Sequence, residues 1–347
     1  MSKARQLADL GNVYDDGALS NRNMIINGAM EVAQRGTSVT SVTTADYRTC
    51  DRFLFGPTSG TYTVTQESSA STADGFTNSL KIETTATGSG TNATVQQRIE
   101  GHNLQHLGYG TSSAKQTTVS FYVKSNKTGT YTLELYSADS TRQISKNYTI
   151  DASGTWERKT ITFPGDTGNG FDNDAGLSLY LFWWVAAPSS FTSGTQNTSA
   201  WASATNANRV SSSIVDISDT VGNYWEITGV QLEVGDTATP FEHRSYGDEL
   251  ARCQRYYAKG ETRGAIAMYS NYGFLAPTKF ATTMRASPTV TVTSVEFRPT
   301  ADASETPVSI SAQNSLVDGF GVIGRASSSY TDQNGYGTYS YTADAEI

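Results

Sequence analysis

The chain is short of the residues that most often carry chemistry. Its 347 residues include two cysteines, three histidines and eight prolines, and charged residues make up only 17%. Two cysteines, Cys50 and Cys253, cannot build a disulfide framework. One bridge between them or two buried thiols acting as small hydrophobes are both open. No run of Lys and Arg is present and the formal net charge is −8, which disfavours a nucleic-acid surface. No apolar run reaches membrane-spanning length, so membrane insertion is not expected. The N-terminus has no apolar signal core, so the expectation is synthesis in a cytoplasm without general secretory export.

Catalytic signatures are missing too. G-x-S-x-G, P-loop and strand–helix G-x-G-x-x-G patterns do not occur. His102 and His106 have helical spacing, but no glutamate follows His102 and Gly108 and Gly110 would end the helix. Glu226 and Glu233 lie on one strand, with no second feature to set them across a cleft as glycosidase carboxylates. The chain is expected not to be an enzyme.

What is abundant is Gly (31 residues), Ser, Thr and aromatics, including 19 Tyr and 5 Trp. That mixture suits short strands joined by tight turns around a real core. From about residue 60 to 235, alternating segments follow one another: TYTVTQE, NSLKIETT, ATVQQRIEG, TTVSFYVKS, TYTLELYS, KNYTI, WERKTITF, LSLYLFWWV and YWEITGVQLEV. Val119, Phe121 and Val123 share one face, and Ser120, Tyr122 and Lys124 the other. The last strand changes parity between Trp225/Ile227 and Val230/Leu232/Val234, and Gly229 between them predicts a bulge. The expectation is all-β: an antiparallel two-sheet sandwich, without the helical crossovers of a parallel sheet. Residues 258–347 read as a smaller β-rich piece.

After the closing strand, Pro240 forces extended backbone onto Thr239, so Pro240, Phe241 and Arg244 lie on an arm expected to join the two domains. Asp248 is expected to cap a short helix with Leu250, Cys253 and Tyr257 on one face. Residues 1–20 have a short amphipathic pattern ending at Gly11, too short to be stable alone, and read as an anchor that orders on binding, a frayed tail being the other reading.

Three stretches carry a family resemblance: NRNMIINGAMEVAQRGTS with the later CDRF, MRASPTVTV, and VQLEVGDTATPFEHRSYGDELARCQRYY. They resemble segments of tail-fibre and virion structural proteins of tailed bacteriophages, whose central part is similar to carbohydrate-binding jelly-roll modules. The resemblance implies a virion anchor at 1–20, a jelly-roll sandwich at 21–246 and a distal β domain at 247–347. It implies host-surface adhesion through a glycan, with other tail proteins and copies of the chain itself, as a homotrimer, for partners. The expected location is the phage tail. The alternatives are a polysaccharide-degrading tailspike, or a capsid or neck decoration protein without glycan contact.

Candidate contact residues follow from the outward parity of LSLYLFWWV, which puts Tyr180, Phe182 and Trp184 on the non-core face. They contact a sugar, or are buried against a neighbouring chain or the N-terminal arm. Phe191 and Trp201 sit in the long polar loop 187–209, where Trp201 is either an exposed tip or a plug. Tyr336 and Tyr339 belong to a C-terminal tyrosine cluster with Tyr330 and Tyr341. Asp166, Asp172 and Asp174 offer oxygens for a structural Ca²⁺, although the pattern lacks the bidentate glutamate of an EF-hand; a hydrated acidic turn is the other reading. No other cofactor is expected.

Overall fold

The computed structural model describes residues 21–68, 75–269, 272–300, 303–305, 309–325 and 334–347. The expected anchor at 1–20 and Tyr330 lie outside them. The described chain forms two compact units, divided between Tyr246 and Gly247. Every ladder between its named strands is antiparallel.

The first unit is a jelly-roll sandwich. One sheet has the order β1 (Ser38–Val42), β4 (Thr61–Glu67), β5 (Ser79–Ala86), β13 (Tyr224–Val234), β7 (Thr117–Ser125), β10 (Glu157–Phe163). The other runs β12 (Ala202–Ser203), β9 (Arg142–Ile150), β8 (Gly129–Ser137), β11 (Leu177–Ala186), β6 (Ala93–Glu100), β3 (Phe53–Pro57), β2 (Asp46–Tyr47). The period-two pattern explains the core. Val119, Phe121 and Val123 meet Leu133, Leu135, Leu179, Leu181 and Trp183 between the sheets, each at most 1% exposed. Phe121 meets Trp183 edge-on at 5.9 Å.

The closing strand β13 lies between β5 and β7, and its register with β7 shifts between Thr228 and Gln231. Gly229 sits at φ +60°, and a Cβ there would come within 2.7 Å of the Phe76 ring. The bulge therefore needs glycine twice over, for its left-handed backbone and for the ring beside it. Trp225, Ile227, Val230 and Leu232 all reach the core despite their change of parity.

The second unit is a seven-stranded sheet: β17 (Ala303–Glu305), β16 (Thr289–Thr300), β20 (Asn334–Asp344), β14 (Tyr257–Tyr269), β15 (Tyr272–Lys279), β19 (Gly319–Arg325), β18 (Ser309–Leu316). Phe280, Met284, Phe320, Val322, Tyr339 and Ala343 form its core. Helix α2 spans Tyr246–Gln254. It starts two residues before the expected capping position, so Asp248 lies inside its first turn, and Tyr257 has already entered β14. Cys253 is buried on it as the apolar periodicity required, and neither cysteine is bridged. Among the described residues no helix is long and apolar enough to cross a membrane.

Candidate ligand-binding face

The outer face of the β6–β11–β8–β9 layer is set by register. Arg98, Tyr180, Tyr136 and Gln143 stand in one row across the four strands; Gln96, Phe182, Glu134 and Ser145 stand in the next; Thr94, Trp184, Thr132 and Asn147 in the third. Cross-strand neighbours on one face interact directly, so this grid decides what each aromatic touches.

Tyr180, Phe182 and Trp184 share the non-core face as expected, but they do not form one bare platform. Tyr180 and Phe182 stack on each other at 4.9 Å with planes 15° apart, and Tyr136 meets both edge-on. The Arg98 guanidinium lies 5.2 Å from the centre of the Tyr180 ring. Trp184 is 1% exposed and lies beneath Phe191, 5.0 Å away. Its indole N–H donates to Glu134 at 2.8 Å. Trp184 is thus a support for the face and not a contact on it.

The cover comes from the long loop. A short helix, α1 (Ser189–Thr192), brings Phe191 over Trp184. Gln196 donates its amide to Ser145 and Asn147. Arg209 closes the arrangement. Its Nε and Nη2 donate to the two carboxylate oxygens of Glu134 at 2.7 and 3.0 Å. The same guanidinium lies 4.9–5.4 Å from the centres of the Tyr136, Phe182, Trp184 and Phe191 rings. Cation–π attraction and a charge-assisted pair are thus combined in one group. Glu134 is fully buried, and burial pushes its carboxyl above the ordinary range, opposed by Arg209 and Trp184.

What stays open is the half-buried strip of Tyr136, Tyr180 and Phe182 with Arg98 beside it. Its ring faces are largely taken within the protein. A ligand there meets ring edges, phenol hydroxyls and the Arg98 guanidinium, whose Nε and Nη2 donate to Gln96. That mixture suits a polyhydroxylated ligand, because apolar edges and hydrogen-bond donors alternate at a spacing fixed by the strands.

Several expected contact residues lie elsewhere. Trp201 is 7% exposed, donates to the Pro164 carbonyl at 2.8 Å and meets Tyr109 edge-on, so it plugs the sandwich edge. Tyr339 is 1% exposed in the core of the second unit, with its hydroxyl on Thr278. The backbone of Tyr336 belongs to β20, and its side chain lies outside the described residues.

The calcium triad does not assemble. Asp166 is buried, and Arg142 takes both its oxygens, at 2.6 and 3.0 Å, supplying the positive charge a cation would bring. Asp174 caps its own turn by accepting from the Gly176 N–H at 2.7 Å, while Asp172 points outward, exposed. Among the described residues no group of three or more His, Cys, Asp or Glu side chains is placed to hold a metal. His102 and His106 fall on two successive 3₁₀ turns, and His102 pairs with Asn173.

The arm residues dock on the sandwich unit itself. Phe241 is half-buried and packs edge-on against Phe76 at 4.8 Å and against His243 at 4.9 Å. Arg244 donates to the carbonyls of Asn23 and Ile25, and Pro240 accepts from Arg22.

No protein-family model matches the chain, and no curated protein does. Among solved structures, the enzymatically active domain of tailspike protein 4 from bacteriophage CBA120 is similar over 62% of this chain, at 13% identity and a TM-score of 0.35. The chain spans 22% of that protein's length. A sugar-binding protein from Bacteroides thetaiotaomicron, itself described as provisional in function, is similar over 61% of this chain and all of its own, at 14% identity and a TM-score of 0.33. A family 11 carbohydrate-binding module from a Clostridium thermocellum cellulase is similar over 63% of this chain and 96% of its own, at 12% identity and a TM-score of 0.28. Likenesses this remote carry no argument about function.

Proposed function

We propose that the chain is a non-enzymatic adhesion protein of the tail-fibre type, carried on a phage virion, that binds a host-surface glycan through the Tyr136–Tyr180–Phe182 strip. The observation that carries the glycan reading is that strip: half-buried aromatics and a guanidinium held in fixed register on one sheet face. The fibre reading is supported by the resemblance of VQLEVGDTATPFEHRSYGDELARCQRYY to virion structural proteins. In this reading the chain is made in the host cytoplasm, assembles as a homotrimer and attaches to other tail proteins through residues 1–20.

The non-enzymatic part of the proposal is supported by what the carboxylates near the faces are already doing. Glu134 is held by Arg209, Asp166 by Arg142 and Glu226 by Lys124, while Glu233 accepts from Thr239. A carboxylate fixed in a structural pair is poorly placed to trade protons with a substrate.

The test is binding of host-envelope polysaccharide to the full chain, followed by Trp fluorescence or calorimetry, with reducing ends measured in parallel. Binding without new reducing ends is expected, and Tyr180→Ala or Phe182→Ala should weaken it at least about tenfold. Absence of binding by the intact chain defeats the adhesion reading. Release of reducing ends favours a tailspike.

A further inference from the structure

The segment that leads into the sandwich and the arm that leaves it are joined to each other. Asn21 and Asn23 donate their backbone N–H groups to the two carboxylate oxygens of Glu242, at 2.8 and 2.7 Å. Arg22 reaches the Pro240 carbonyl at 2.5 Å. Arg244 reaches back to the Asn23 and Ile25 carbonyls and sits 3.3 Å from Glu242. The side chains of Glu242 and Arg244 are only 16% and 7% exposed, so water competes weakly for these bonds.

The order of the partners fixes the geometry. Residue 22 is matched with 240, 21 and 23 with 242, and 23 and 25 with 244. Both segments run against the direction of the closing strand, 24 meeting 232 and 28 meeting 230 on one side, 239 meeting 233 and 242 meeting 231 on the other, so the two extended segments run parallel to each other. The lead-in segment is in turn tied to the closing strand: Met24 N–H donates to Leu232 and Val230 N–H to Gly28, both at 2.9 Å. Asn23 adds its side chain, accepting from Leu232 N–H and donating to the Val230 carbonyl, each at 3.1 Å.

We infer that this clasp is a tension-bearing element, which carries pulling force from the N-terminal to the C-terminal side of the sandwich without passing it through the β-sheets. In two parallel segments, the N-terminal end of one and the C-terminal end of the other lie at opposite ends of the overlap. Pulling those ends apart loads all the cross-bonds at once, in shear. Antiparallel segments pulled from neighbouring ends would instead lose their bonds one at a time. The sandwich, with its outer face, then hangs beside the line of force and keeps its shape under load. This inference stands whatever the outer face binds.

Single-molecule force spectroscopy on the full chain tests it. Held by its two ends, the wild-type protein should break the clasp in one high-force event that frees the chain between the two segments, about 70–75 nm of new length. The second unit releases a shorter length and is told apart by it. Interior handles at exposed Ser89 and Ser112, introduced as Ser89→Cys and Ser112→Cys, bypass the clasp and should open the sandwich at lower force. The double variant Glu242→Ala, Arg244→Ala should lower the end-to-end force to the interior level and leave the interior force unchanged. An unchanged end-to-end force in that variant overturns the inference. So does a wild-type protein that breaks no more strongly through its ends than through the interior handles, a comparison that needs no variant of the clasp.

Discussion

Arg209 holds Glu134 by two parallel N–H···O bonds, 2.7 and 3.0 Å long, at a point where Glu134 has no exposure to solvent. The pair joins the loop 187–209 to strand β8 and organises the rings around it. Removing one partner of a buried pair strands the other charge. Arg209→Ala should therefore cost about 3–5 kcal/mol, whereas Arg209→Met with Glu134→Leu should recover most of it. Denaturant unfolding of the single and double variants measures this. A single variant as stable as the wild type would mean that the loop is held by other contacts.

The bulge in β13 gives a second prediction. Alanine at position 229 must adopt φ +60° and also place its Cβ 2.7 Å from Phe76 and 3.1 Å from Tyr122. Gly229→Ala should destabilise the sandwich by about 1–3 kcal/mol, seen as a lower midpoint in thermal unfolding. An unchanged midpoint would show that the strand slips its register at no cost.

Phe241 is half-buried, so its truncation should cost less than the roughly 3–5 kcal/mol of a fully buried phenylalanine. Phe241→Ala should lower stability by about 1–2 kcal/mol through loss of its edge-on contact with Phe76. Limited proteolysis should then show new cleavage between Gly235 and Gly260. No new cleavage would leave the arm's docking independent of this ring.

Asp219 accepts hydrogen bonds from Lys127 and Asn223, and the Lys127 bond is the main cause that holds its carboxyl below the ordinary aspartate range. In the folded state it therefore binds a proton later than in the unfolded chain as pH falls. Its stabilising effect is full above the ordinary aspartate range and disappears as pH falls through the depressed value. Asp219→Asn should lower stability at neutral and alkaline pH and give a shallower loss on the acid side, so that the two proteins converge at strongly acid pH. Melting curves from neutral to strongly acid pH decide it; identical acid limbs would count against the pairing.

The strands were legible because burial on one face imposes a period of two. Val119, Phe121 and Val123 point inward for that reason alone, and the parity change at Gly229 announced a bulge before any contact was known. The outward side of Tyr180, Phe182 and Trp184 was equally legible. Which of them stays open was not, because the cover comes from Phe191 and Arg209 in a loop with no periodicity. Arg209 carried no local signal, being a single arginine among Ser, Asn and Ala. The alternation of TYTLELYS is compatible with an outward Glu134 and Tyr136, but a lone outward glutamate reads as solvated in the absence of its distant partner. Asp166 failed as a ligand for the same reason: its partner Arg142 lies on strand β9, 24 residues away. Trp201 and Tyr339 are buried with their polar atoms on Pro164 and Thr278, partners again beyond the reach of local pattern.

Both thiols of the chain are shut away, Cys50 at 1% exposure and Cys253 at none, and burial raises the Cys50 thiol well above its usual range. A thiol that stays protonated and covered reacts slowly with alkylating reagents. Any cysteine placed on an outward loop thus becomes the reactive one, and the protein can be tethered, labelled or immobilised at a chosen point without first removing its own sulfur.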